Sequence, residues 1–216
     1  SHVLETWRWF GPNDAVTLSD IRQAGASGVV TALYDIAPGE IWSSQAIAQR
    51  FQDVRFHPDG ASSGLEWSVT ESLPVSEVIK TGVSERDQHI ENWITSLRNL
   101  AAQGMEVVCY NFMPILDWTR TDLAAVRPSG AKALRFDLAD FATFDIHILK
   151  RSGAAQDYDA LTCGEAESRA AQLTDLNSEQ LTSTILAGLP GAVEGWTLDS
   201  FRKQLLTYQG IDADQL

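Results

Sequence analysis

The 216-residue sequence predicts an α/β fold built on a parallel sheet with helical crossovers. Three observations carry this. Short apolar runs alternate four times with amphipathic or polar segments in the first 114 residues, as strands joined by helices do. Ile90, Trp93, Ile94, Leu97 and Leu100 recur at three- and four-residue steps, which makes one apolar helical stripe. The apolar runs are also bounded by turn formers such as Gly11-Pro12-Asn13-Asp14 and Pro74. Whether the sheet closes into a barrel or stays open is not readable from this pattern.

Trp7 to Phe10 is a short aromatic strand. Thr17 to Ala24 is a helix, with Thr17 as N-cap and Gly25 just past its end. Gly28 to Leu33 is a buried β-branched strand, and Ser43 or Ser44 caps a helix through Phe51. Leu65 to Leu73 is the third strand. The helix carrying the Ile90–Leu100 stripe ends at Gly104, and Glu106 to Phe112 is the fourth strand, stopped by Pro114.

From Ile115 to Gly195 the pattern changes. Phe141, Phe144, Ile148 and Leu149 form one helix face and Glu165 to Leu173 another, between polar and Gly-containing stretches. That is too long for a plain connection, so residues 115–195 are expected to be an inserted cap or lid after strand four. Residues 197–208, with Thr197 as N-cap, are expected to return to a helix of the sheet layer. No apolar strand follows before Leu216, so the sequence is expected to stop mid-fold.

Lys and Arg number 16 against 29 Asp and Glu, a formal charge of −13. That balance excludes nucleic acid as a general partner, whose phosphates demand a basic surface. A small anion needs only one or two local arginines. Residues 152–195 hold seven acids and one base, read as a solvated surface. No apolar run approaches the roughly eighteen residues of a membrane span, and the start has no secretory pattern. Two cysteines, Cys109 and Cys163, make no disulfide framework, so a cytoplasmic setting is expected.

Four segments resemble the mannonate dehydratase family: Trp7–Asp14, Gly28–Tyr34, Trp67–Val75 and Val108–Thr121. Ala133–Phe136, His147–Arg151 and Leu189-Pro190-Gly191 add to them in order. The resemblance implies the first half, strands one to four, of a (β/α)8 barrel related to the xylose-isomerase-like sugar enzymes, with a helical insertion after strand four. It implies dehydration of D-mannonate to 2-dehydro-3-deoxy-D-gluconate, in hexuronate and glucuronate breakdown. It also implies Mn2+ or Fe2+, held by His, Cys, His and Asp on later strands in motifs absent from this sequence, so this stretch alone is expected to bind no metal and to be inactive. Expected partners are a sugar-acid substrate and the remaining half of the barrel or a second copy of the chain. A sugar isomerase or epimerase on the same barrel, or a non-catalytic half-barrel, are the alternatives.

In such a barrel the chemistry sits at the carboxyl ends of the strands. Arg8 there either grips the substrate carboxylate in a fork or pairs with a buried acid. Trp9 stacks on the sugar or packs in the core. Glu71 lies in an apolar strand, where a carboxylate is costly unless it meets a ligand or a base such as Arg8. Tyr110 and Asn111 end strand four, where an Asn amide holds a hydroxyl or forms a turn. Asp117 and Arg120 either pair with each other or act together, Arg120 on a substrate oxygen and Asp117 orienting it. His57-Pro58-Asp59 resembles a family ligand run but falls in a surface loop before strand three. Cys109 is expected to be inert and His147 structural.

Overall fold

The structure, a computed structural model, describes residues 3–116, 118–187, 196–212 and 214. The chain divides into two compact units, one running to Pro114 and the other spanning Ile115–Gly210.

The first unit contains a four-stranded sheet of β1 (Thr6–Arg8), β2 (Gly28–Thr31), β3 (Glu66–Glu71) and β4 (Val108–Cys109). The strands are parallel and lie in sequence order. They are joined by α1 (Leu18–Gln23), α2 (Ser44–Arg55), and the pair α3 (Glu77–Lys80) and α4 (Arg86–Ala102). The Thr17 hydroxyl accepts from the Asp20 amide and the Asp20 carboxylate accepts from the Thr17 amide, a reciprocal cap that starts α1. Ser43 caps α2 by accepting from the Ala46 amide. That helix runs past Phe51 to Arg55 because Val54 continues the buried stripe begun by Ile47.

Side chains alternate across a strand, so the sheet has two unlike faces. Val29 and Trp67, register partners on β2 and β3, join Leu18, Ile21, Ile47, Val54 and Leu100 from the helices in one buried cluster. Arg8, Val30 and Val69 are successive register partners on the opposite face, and Glu71 follows two residues on. These four are only partly buried. An irregularity between Val29 and Val30 adds Ser68 to β3, and its hydroxyl donates to the Val29 carbonyl.

β4 is much shorter than the expected Glu106–Phe112. Among the described residues its one partner is β3, and the ladder's last bond is from the Leu73 amide to the Cys109 carbonyl. The next residue, Pro74, has no N–H to continue it. On α4 a polar row beside the apolar stripe fastens the loop before α2. The Asn92 amide donates to the Gly39 carbonyl, the Ser96 hydroxyl accepts from the Trp42 amide, and the Asn99 amide donates to the Trp42 carbonyl.

The second unit opens with an antiparallel hairpin, β5 (Asp122–Val126) and β6 (Lys132–Arg135). Then come α5 (Leu138–Thr143), which passes into a π-helix at Phe144–Leu149, a 3-10 turn at Ala154–Asp157, α6 (Ala160–Ala170), α7 (Asp175–Leu186) and α8 (Leu198–Thr207). The hairpin and α7 were not expected from the sequence. α8 differs from its expected place in the sheet layer, because Phe201 packs with Phe144, Leu149, Ile185 and Leu186 in the core of the second unit. Leu189-Pro190-Gly191 lies outside the described residues.

Asp145, buried within the π-helix, accepts from Arg151 Nε at 2.9 Å, Arg151 Nη2 at 2.7 Å and the Tyr158 hydroxyl at 2.9 Å. Burial and the hydrogen bond to Asp145 push the Tyr158 phenol upward. The π-helix ends at Lys150 in the left-handed region, and Arg202 of α8 donates to the carbonyls of Ile148 and Leu149. His147 is a partly buried residue of this helix.

Candidate functional site

Arg8 is the last residue of β1 and Glu71 the last of β3, with β2 between them. Their side chains meet across the partly open face, Arg8 Nη1 to Glu71 Oε1 at 2.7 Å. The pair is not sealed: the two side chains keep 26% and 37% of their surface. The Arg8 guanidinium also lies over the Phe10 ring, 5.2 Å from its centroid, and its Nε is buried with no hydrogen-bond partner. Both charges that the sequence placed at strand ends therefore belong to one ion pair. An Arg–carboxylate pair with water access offers donors to an anion and an acceptor to a hydroxyl.

Trp9 corrects the list. One residue past Arg8, it turns to the other side of the sheet and is 5% exposed within the core. Its amide donates to the Val30 carbonyl and its carbonyl accepts from the Tyr34 hydroxyl, so its backbone is held between β2 and the loop that follows it while its ring packs in the core cluster. Tyr110, beyond β4, is exposed and meets Trp93 edge-on at 5.9 Å. Asn111 is half-buried beside it in sequence. Arg120 is buried just before β5 in the second unit, whereas Asp117 lies outside the described residues.

Arg50 was not singled out from the sequence. On α2 it shares the buried stripe with Ile47 and Val54, and it is 6% exposed. Its guanidinium carbon lies 5.5 Å from the Trp9 ring centroid. Asp35 and Asp53 approach it only to 3.9 Å and 3.8 Å. Burial draws its pKa below the ordinary arginine value, and those two acids oppose that shift. A cation at a position where helical spacing calls for an apolar residue was the available signal.

The residues at hand do not fit a metal. Among the described residues no group of three or more His, Cys, Asp or Glu is placed to hold one. His57-Pro58-Asp59 forms a tight turn, closed by the Gly60 amide on the His57 carbonyl, beside a cleft of about 570 Å3 lined by Trp9, Leu18 and Phe56 among others. Cys109 and Cys163 are free thiols, each partly buried. No helix among the described residues is long and apolar enough to cross a membrane.

Residues 3–216 match the family model described as D-mannonate dehydratase (UxuA). The chain is 51% identical over 211 residues to the mannonate dehydratase of Chromohalobacter salexigens, covering 98% of this chain and 52% of that protein. It is 48% identical over 214 residues to that of Rhizobium meliloti, covering 99% and 52%. The chain thus spans about half the length of the curated relatives it matches. Among solved structures, the crystal structure of mannonate dehydratase from Streptococcus suis serotype 2 superposes with a TM-score of 0.61 at 36% identity, covering 84% of this chain and 52% of that one.

Proposed function

The chain belongs to the D-mannonate dehydratase family, and from that membership we propose that its first unit is half of a (β/α)8 barrel that removes water from D-mannonate to give 2-dehydro-3-deoxy-D-gluconate. The observation that carries the reading is the Arg8–Glu71 pair at the carboxyl ends of β1 and β3. In barrels of this class, that end bears the chemistry.

In this reading Arg8 grips the substrate carboxylate. The reaction takes a proton from the carbon beside that carboxylate and expels hydroxide from the next carbon, so negative charge gathers on the carboxylate in the transition state. A guanidinium held in place stabilises it. Glu71 holds the guanidinium through Nη1 and offers its remaining acceptor capacity to a sugar hydroxyl. We also propose, each on its own, that Asn111 beyond β4 holds a sugar hydroxyl and that Arg120 of the second unit meets a substrate oxygen. The proton-transfer groups and the ligands of the Mn2+ or Fe2+ that the resemblance implies belong, we propose, to the other half of the barrel, as a continuation or a second polypeptide. A second copy of this chain is the alternative cover for the sheet. A cytoplasmic place in hexuronate breakdown agrees with the free thiols.

The test is an assay of the full-length protein on D-mannonate with Mn2+ or Fe2+. Appearance of 2-dehydro-3-deoxy-D-gluconate is expected. A product isomeric with the substrate would instead assign the barrel to a sugar isomerase or epimerase.

A further inference from the structure

We propose that Arg50 is a positioning residue for anion recognition: it fixes the turn after β1 from below, so that Arg8 stays on the open face. This rests on the role just given to Arg8. Arg50 faces Trp9 and Gly11 from the β1 end and Tyr34 and Asp35 from the β2 end. A Cβ on Gly11 would lie 2.9 Å from Arg50 Nη1 and 3.4 Å from the Tyr34 ring, and Gly11 has φ +90°. Only glycine lets the backbone turn this closely over the guanidinium. The Tyr34 hydroxyl holds the Trp9 carbonyl, and Tyr34 also neighbours Phe10, whose ring lies beneath Arg8. Arg50 therefore supports both residues that follow Arg8 in the chain.

Stability alone is a poor account of this arginine. Its Nε and Nη1 are buried without hydrogen bonds, and both carboxylates stand beyond bonding distance. A buried charge so weakly paired is costly, and an apolar side chain would continue the stripe of Ile47 and Val54 at less cost. A guanidinium lying over the Trp9 ring and beneath a glycine turn gives instead a broad support for both.

The experiment compares Arg50→Met and Arg50→Lys with wild type in the full-length enzyme. Arg50→Met is expected to raise KM for D-mannonate about tenfold and to lower kcat as well, because a misplaced Arg8 loses both its hold on the bound carboxylate and its stabilisation of the charge that gathers there in the transition state. Arg50→Lys, which keeps the charge but not the plane, is expected to restore less than half of that loss on a logarithmic scale. In an Arg8→Ala background, Arg50→Met should change KM no further. A purely structural arginine would lower the active fraction, and so kcat, at unchanged KM, and would add its full effect to Arg8→Ala; either result overturns the proposal. Amide exchange supplies a readout independent of turnover. Residues 9–14 should exchange faster in Arg50→Met while α4 is unchanged, and equal rates at 9–14 would also overturn it. A wild type that ignores D-mannonate would refute the proposed function while exchange at 9–14 still decides the role of Arg50.

Discussion

Two charged side chains reach across β2 to meet at 2.7 Å, and each keeps a share of its surface in water. Such a pair contributes little to stability, since exposed ion pairs are worth about 0–1 kcal/mol. Its worth in the proposed site is recognition, and substitution separates the two. Arg8→Ala in the full-length enzyme is expected to lower kcat/KM roughly thirty- to a hundredfold, the loss of one charge-assisted contact of about 2–3 kcal/mol, with melting little changed. Asn111→Ala and Arg120→Ala are expected to act in the same direction, and near-normal kcat/KM in all three would refute this placement of the site. Arg8 and Glu71 were legible because a charge in an apolar strand needs a reason. Of the two places open to Trp9, beside the sugar or in the core, alternation along the chain selects the core. Arg50 was not legible as a buried residue because a cation on an amphipathic helix ordinarily faces water.

Elements with strong periodic signals and caps were legible, and those formed by long-range pairing were not. Thr17, Ser43 and Thr197 each cap the helix expected of them. The β5–β6 hairpin was missed because Leu123-Ala124-Ala125-Val126 has no strand alternation and carries helix-favouring alanines. α7 was missed because its first turns are polar and only Ile185 and Leu186 are buried. Two substitutions test what holds elements together. In the first unit, Ser96→Ala removes the acceptor of the Trp42 amide. A buried donor left unpaired costs about 1–3 kcal/mol, so chemical denaturation should show a loss in that range, and no loss would mean that water replaces the hydroxyl. In the second unit, Asp145→Ala removes the buried acceptor of Arg151 Nε and of the Tyr158 hydroxyl and leaves Arg151 only its bond to the exposed Asp157. A loss of about 3 kcal/mol is expected, at the low end for a broken buried pair because Arg151 is partly in water. Unchanged unfolding of the second unit would show that the network is not what fastens the π-helix.

For the whole molecule, the parallel sheet has two free edges among the described residues, β1 and β4. Near β1, Leu4 and Trp7 are exposed, and around β4 so are Val107, Tyr110, Phe112 and Met113. Unpaired strand edges bordered by apolar side chains invite further strands, and each 100 Å2 of apolar surface removed from water there is worth about 2.5 kcal/mol. A parallel sheet with helical crossovers was legible from the alternation of elements; whether it stays open or closes was not, because the same alternation builds both. The 216-residue polypeptide by itself is expected to bind neither Mn2+ nor Fe2+ tightly, and a one-to-one micromolar site found by titration would contradict that. The most direct measurement is a crystal structure of the full-length protein with D-mannonate bound. Further strands are expected to continue the sheet beyond β1 and β4, with the substrate carboxylate within hydrogen-bond distance of Arg8. Free sheet edges in solvent, or a substrate carboxylate bound away from Arg8, would contradict it.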